Sequence, residues 1–190
     1  MRLQALIDAV APTVPTHPRG PTDIDITGIT FDSRRVQLGD VFVAVREANR
    51  DGHDFIADAV RRGATAVVAE RVPDAPVPVP LLVVQRSKQA LAYLADAFYG
   101  QPSRRLRLIG VTGTDGKTTT CQLTAHLLRQ GGATTGFLTT VSFDYGHGAE
   151  DNRTRQSTQE SPDIQAALCR MLEHGCTTAV LEATSHALAL

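Results

Sequence analysis

Residues Gly113-Thr114-Asp115-Gly116-Lys117-Thr118-Thr119 are of the types, and in the order, that hold a polyphosphate. Glycines let backbone N–H groups approach phosphate oxygens without a Cβ in the way, and the N-terminus of a following helix adds the positive end of its dipole. In such a loop Lys117 meets the β- and γ-phosphates and Thr118 offers its hydroxyl to Mg²⁺. The ligand implied is ATP or GTP. The long form of the pattern, G-x-x-x-x-G-K-[ST], places a glycine where Val111 stands, so the shorter core from Gly113 is what remains. A plain helix-capping turn is the other reading of a Gly-Lys-Thr triplet.

The loop needs a strand before it and a helix after it, and the sequence supplies both. Leu106 to Thr112 reads as a strand, and a helix with the apolar run Leu123, Leu127 and Leu128 extends to Gln130, stopped by Gly131 and Gly132. A strand around Gly136 to Val141 follows, then a polar, glycine-containing excursion from Asp144 to Gln156. Ser161 can cap a helix whose first position is Pro162, with Gly175 ending it after His174. The strand Thr178 to Ala183 closes a βαβαβ arrangement of three parallel strands that leaves an unpaired edge.

That last strand places Glu182 at its carboxyl end, the edge of an open α/β sheet where ligands bind. Glu182 is either a ligand of the Mg²⁺ that Thr118 touches or a solvated strand-end carboxylate. Thr184, Ser185 and His186 follow directly. His186 either orients Glu182 or a water, or merely starts a helix.

Upstream, short strands and helices alternate. Leu3 to Val10 reads as a helix, Ile24 to Phe31 and Val41 to Val45 as strands, and Asp54 to Arg62 as a helix stopped by Gly63. Ala66 to Ala69 and Leu81 to Gln85 read as strands joined by a proline-rich link, and Ser87 to Phe98 as a helix. Gly100-Gln101-Pro102-Ser103 separates two domains, 1–102 and 103–190. The expected fold is α/β, a small N-terminal α/β substrate domain followed by the beginning of a P-loop parallel-sheet ATPase domain.

Bulk properties narrow the partners. The 190 residues carry 19 basic and 20 acidic side chains, a formal charge of -1, which gives no electrostatic footprint for nucleic acid or an anionic membrane. Cys121, Cys169 and Cys176 are odd in number and lack C-x-x-C spacing, which argues against a disulfide framework or zinc site and for a cytoplasmic setting. No apolar run approaches bilayer length.

The phosphate loop, the downstream Leu181-Glu182-Ala183-Thr184-Ser185-His186-Ala187-Leu188 and the upstream Phe31-Asp32-Ser33-Arg34 together resemble the Mur ligase family. Gly39-Asp40-Val41-Phe42-Val43-Ala44, Asp51-Gly52-His53-Asp54-Phe55 and Gly63-Ala64 before Val67-Val68 extend the likeness along almost the whole chain. The resemblance is greatest to the branch that adds a third amino acid to a UDP-N-acetylmuramoyl-dipeptide. It implies a three-domain enzyme, of which this chain holds the first domain and part of the second. It further implies ATP and Mg²⁺, an acyl-phosphate route to an amide bond, and an amino acid as the second substrate.

By the same resemblance Phe31, Asp32, Ser33 and Arg34 lie beside the uridine end of the substrate. Ser157 and Thr158 fall at a Thr-Thr pair that contacts the muramoyl peptide, and Thr184 at a serine that does so. Glu182 matches a metal-ligand glutamate and shares the catalytic role with Lys117. The sequence departs from the family at Asp115, where Asn is usual, and at Ser157 and Gln159, where Thr and Pro are usual. Read without the resemblance, Asp32-Ser33-Arg34 is an Asx or Ser turn before a strand. The competing classes are a non-catalytic UDP-precursor-binding remnant and another Mur or folylpolyglutamate-type ligase. The chain alone is expected to be catalytically incompetent, because nothing in it orients an amino-acid nucleophile.

Overall fold

A computed structural model describes residues 1–47, 50–154 and 158–184. The chain forms two compact units, Met1–Phe98 and Tyr99–Leu190. In the first, the sheet runs in the order β1 (His17–Arg19), β5 (Leu81–Val83), β4 (Ala66–Ala69), β3 (Asp40–Val43) and β2 (Gly28–Thr30). All neighbours are parallel except β1, which pairs antiparallel to β5.

The central strands are buried along their whole length because both faces are covered, the situation in which strands read as continuous apolar runs. Alternation divides their side chains between two cores. Val41, Val43, Ala66 and Val68 join one core with Leu3, Leu6, Ile7 and Val10 of α1 (Leu3–Val10) and Ala90, Leu91 and Leu94 of α3 (Ser87–Phe98). Phe42, Val67 and Ala69 point the other way, to Ile56 and Ala59 of α2 (Ile56–Arg61).

Several elements differ from the sequence expectation. The helix expected from Asp54 opens instead as a 3-10 turn, Gly52–Phe55, capped by the Asp51 carboxylate, which accepts from the His53 N–H. The strand expected from Ile24 is confined to Gly28–Thr30, because Ile24 and Met1 spend their carbonyls on the N–H groups of Leu3 and Ile26. The short edge strand β1 carries no alternating pattern, all three residues being exposed, and was not legible.

In the second unit the sheet order is β6 (Arg107–Val111), β10 (Thr178–Glu182), β7 (Thr135–Leu138), β8 (Ser142–Asp144), β9 (Ala149–Asp151). The first three strands are mutually parallel, with β10 between β6 and β7. The excursion expected after β7 is instead the antiparallel pair β8 and β9, which covers one edge of the trio. Asp144 anchors this pair: it accepts from Gly146 and Gly148 N–H groups and from the Arg129 guanidinium.

Two helices cover the parallel strands. α6 (Ser161–Glu173) packs Ala167, Leu168 and Met171 on Leu138 and Ala179. Its N-cap is Glu160 rather than Ser161, which falls inside the first turn beside Pro162. α5 (Lys117–Gln130) packs on Phe137 and Val180 through Cys121 and Ala125, with Leu128 partly buried. Leu123 and Leu127, expected on the buried face, are 55% and 61% exposed. Small side chains occupy the contact because they let the helix axis approach the sheet. A four-residue helix, α4 (Pro102–Arg105), precedes β6. Among the described residues no helix is long and apolar enough to cross a membrane.

Candidate functional site

The loop between β6 and α5 has the backbone that its glycines predict. Gly113 and Gly116 take positive φ, 150° and 72°, and Gly116 is the N-cap of α5 in the left-handed region, where a side chain would be strained. Open space surrounds the position a Cβ would take at Gly116. Thr112 through Gly116 are exposed, so the loop and the first N–H groups of a fourteen-residue helix face outward. Lys117 folds back over the loop, its Nζ donating to the carbonyls of Gly113 at 2.9 Å and Thr114 at 3.1 Å. Thr114, Asp115 and Thr119 are exposed around it.

At the carboxyl end of the sheet Thr118 and Glu182 meet. The Thr118 hydroxyl donates to Glu182 Oε2 at 2.8 Å. Register explains the meeting: Glu182 pairs with Val111, the last residue of the strand that enters the loop. Glu182 is 6% exposed and receives two further hydrogen bonds from Thr140, the N–H to Oε2 at 3.0 Å and the hydroxyl to Oε1 at 2.9 Å. Burial pushes its carboxyl up, but the Thr140 N–H, the two hydroxyls and the nearby Lys117 ammonium outweigh that and hold it below the usual glutamate range. Glu182 is therefore an ionised carboxylate beside a hydroxyl oxygen, a pair of hard oxygen donors of the kind Mg²⁺ takes when phosphates and waters complete its shell. The residues present fit the metal.

A second polar contact lies next to the first. Thr184 N–H donates to Thr158 Oγ1 at 3.1 Å, and the two hydroxyls lie 3.4 Å apart. These residues, singled out separately in the sequence, are brought together two positions beyond Glu182. Ser157 and His186 lie outside the described residues.

Within the N-terminal unit the Phe31–Arg34 segment is a capped turn. Asp32 accepts from the Arg34 N–H at 3.0 Å and from its guanidinium at 2.9 and 2.7 Å, and caps a 3-10 turn, Ser33–Arg35. The Arg34 guanidinium holds the Asp32 carboxyl below its ordinary range despite partial burial. Ser33 is buried, with its hydroxyl on Asp58, and Phe31 packs partly buried against the core. The Asx-turn geometry thus accounts for Asp32, while the Arg34 side chain remains 71% exposed. Arg50 lies 4.6 Å over the Phe55 ring and adds positive potential at Asp32.

Thr140 and Asn152 did not stand out in the sequence. The signal that could have found Thr140 is the one that found Glu182, a polar residue just past the carboxyl end of a parallel strand. Asn152 carried none, since it belongs to a segment expected to be loop.

Comparison with known proteins gives two family matches. Residues 25–99 match "Mur ligase family, catalytic domain" and residues 111–190 match "Mur ligase middle domain". The chain is 53% identical over 169 residues to a UDP-N-acetylmuramyl-tripeptide synthetase of Roseiflexus sp. (strain RS-1), covering 88% of this chain and 33% of that protein. Its structure is similar to that of a UDP-N-acetylmuramoyl-L-alanyl-D-glutamate--2,6-diaminopimelate ligase, with TM-score 0.76 and 26% identity over 100% of this chain and 37% of that one. A MurF ligase from Thermotoga maritima, solved in complex with ADP, matches with TM-score 0.53 and 30% identity over 83% of this chain and 32% of that one. The chain thus spans about a third of the length of the curated relatives it matches.

Proposed function

We propose, from the premise that this chain belongs to the Mur ligase family, that it provides the UDP-substrate unit and the nucleotide corner of an ATP-dependent amide-bond ligase of peptidoglycan precursor synthesis. The observation that carries the reading is the corner where Thr118, on the phosphate loop, donates to an ionised Glu182 at the edge of the sheet. A phosphate loop alone would serve many reactions. A loop hydroxyl joined to a buried carboxylate gives a place for Mg²⁺ beside the phosphates.

The N–H groups at Gly113, Thr114, Asp115, Gly116 and Thr119 would bind the nucleotide phosphates, and the Lys117 ammonium would leave the loop carbonyls for the β- and γ-phosphates. Thr118 and Glu182 would hold Mg²⁺, which supplies neutralisation of charge spread over the transferred phosphoryl group. Lys117, once seated on the phosphates, would add a second positive charge to the same stabilisation. Thr158 and Thr184, near this corner, grip the muramoyl peptide, a role the family likeness extends to Ser157. Phe31, Asp32, Ser33 and Arg34 receive the uridine end.

The reaction that fits is addition of the third amino acid to UDP-N-acetylmuramoyl-dipeptide in the cytoplasm. A carboxylate oxygen of the dipeptide takes the γ-phosphoryl group and ADP leaves. The incoming amine then attacks the acyl carbon, the C–O bond to phosphate breaks, and inorganic phosphate departs as the amine loses a proton.

Titration of this chain with a fluorescent ATP analogue, with and without Mg²⁺, tests the corner. Tighter binding with Mg²⁺, reduced by Lys117→Ala, supports it, and equal binding in both conditions would overturn it. Calorimetry with UDP-N-acetylmuramoyl-dipeptide tests the substrate unit. Phosphate release, measured on a protein that carries this chain together with an amino-acid-binding domain, separates a ligase from a binding remnant: a ligase releases phosphate only with dipeptide and amino acid both present, and a remnant releases none.

A further inference from the structure

The turn that follows β7 is fixed more firmly than a connection requires, and the group it presents is directed at Glu182. Thr139 N–H and hydroxyl both donate to the Ser142 carbonyl, at 3.0 and 2.8 Å, and Ser142 N–H returns a bond to Thr139 Oγ1 at 3.0 Å. Asn152, 7% exposed, closes the turn from the other side. Its Nδ2 donates to the carbonyls of Thr139 and Thr140, each at 3.0 Å, and its N–H donates to the Val141 carbonyl at 2.8 Å. Three successive carbonyls are thereby satisfied by one residue. The peptide plane between Thr139 and Thr140 is left no freedom to rotate, and that plane carries the Thr140 N–H.

Thr140 delivers two donors to one carboxylate, its N–H to Oε2 and its hydroxyl to Oε1. A carboxylate with a donor on each oxygen cannot rotate about its terminal torsion without breaking one of the bonds. Oε2 also accepts the Thr118 hydroxyl, so the atom shared with the phosphate loop is the one whose direction the backbone bond sets.

We propose that Thr140 is a positioning residue for the Mg²⁺–nucleotide corner, orienting Glu182 through paired donors on a turn locked by Asn152. The proposal rests on the reading of Thr118 and Glu182 as the metal-holding pair. It adds a residue that acts through Glu182, and groups that orient a metal ligand typically change metal affinity by about 10- to 100-fold when removed. Asn152 is itself held in place, because its Oδ1 accepts from the Thr154 N–H at 3.0 Å and from the Thr154 hydroxyl at 2.6 Å.

The test is a titration of Mg²⁺ into the chain holding a fluorescent ATP analogue, for the wild type, Thr140→Val and Thr140→Ser. Valine keeps the volume and removes the hydroxyl donor, while serine restores it. The expected result is that Thr140→Val raises the Mg²⁺ concentration for half-maximal binding by about tenfold, and that Thr140→Ser stays within about twofold of the wild type. Thermal unfolding of each variant is followed in parallel, and Thr140→Ala replaces Thr140→Val should the latter not fold. An unchanged Mg²⁺ midpoint in the hydroxyl-free variant would overturn the proposal while leaving the metal corner standing. A wild type that binds the analogue without any response to Mg²⁺ would overturn the corner itself, and the role of Thr140 with it. Equal loss in the valine and serine variants would assign Thr140 to packing and also overturn the proposal.

Discussion

Thr118 and Glu182, 64 positions apart in sequence, are joined by a hydrogen bond of 2.8 Å. The first sits in the opening turn of α5, the second at the end of β10, and the pairing of β10 with β6 brings them together. Replacing Thr118 by Val removes the donor to Glu182 and the hydroxyl oxygen proposed to hold Mg²⁺ in one change. Nucleotide binding should then lose its response to Mg²⁺ while the fold survives, because Glu182 keeps both bonds from Thr140. Mg²⁺-dependent binding of a fluorescent ATP analogue, set beside circular dichroism of the variant, reads both halves of this expectation.

Lys117→Ala should weaken nucleotide binding by about 10- to 100-fold, the range for hydrogen bonds to charged groups. Binding of UDP-N-acetylmuramoyl-dipeptide should stay within about threefold, since the residues proposed to hold it are Phe31 to Arg34, Ser157, Thr158 and Thr184, and Lys117 is assigned to the nucleotide. Equal loss of both ligands would contradict the assignment of two sites.

The sequence carried the parallel trio and the phosphate loop because both rest on local signals. Leu106 to Thr112 and Thr178 to Ala183 are apolar runs bounded by breakers, and the glycines that take positive φ stand where a loop needs them. It also carried Glu182 through the rule for strand ends. The pair β8 and β9 was not legible: it is three residues on each side, and its anchor is the tertiary ion pair between Asp144 and Arg129 at 2.9 Å. Leu123 and Leu127 misled for a related reason. Helical spacing shows that a stripe exists, whereas the choice of Cys121 and Ala125 for the sheet depends on how closely the helix approaches. The clamp of Thr140 on Glu182 depends on Asn152, whose partners are distant in sequence and share no motif with it.

The Asp144 anchor gives a stability prediction. Burial pushes its carboxyl up, yet the Gly146 and Gly148 N–H groups and Arg129 hold it down. Asp144→Ala removes an acceptor from all three donors, but Arg129 keeps the Thr135 carbonyl, and because Arg129 is 37% exposed and Gly148 is exposed part of the loss is recovered by water. The second unit should lose about 2–3 kcal/mol, less than for a fully buried pair. Urea unfolding followed by circular dichroism measures it, and a loss below about 0.5 kcal/mol would show that the pair is ordinary surface charge.

Gly52 gives a sharper steric prediction for the first unit. A Cβ there would stand 2.6 Å from both the N and O of Val45 and 2.7 Å from the Ala44 carbonyl carbon. These are backbone atoms of the segment leaving β3, which cannot rotate aside. Gly52→Ala should therefore destabilise the unit by about 3 kcal/mol or more. A midpoint in urea equal to that of the wild type would mean that the segment shifts freely.

Acid should weaken the same region through Asp51. Its carboxylate accepts from the His53 N–H at 2.9 Å, from the His53 ring at 2.6 Å and from Arg71 at 3.1 Å, and the first of these does most to bring its pKa down to about 2. The folded value lies below the unfolded one, about 3.9. Stability from this group is thus fully present above about pH 4 and is lost as pH falls through about 2, since the unfolded chain binds the proton first. Asp51→Asn should lower the midpoint at pH 6 and flatten its fall between pH 4 and pH 2. Thermal unfolding of the two proteins across that window decides the matter: parallel slopes would show that the acid sensitivity of the unit comes from other carboxylates.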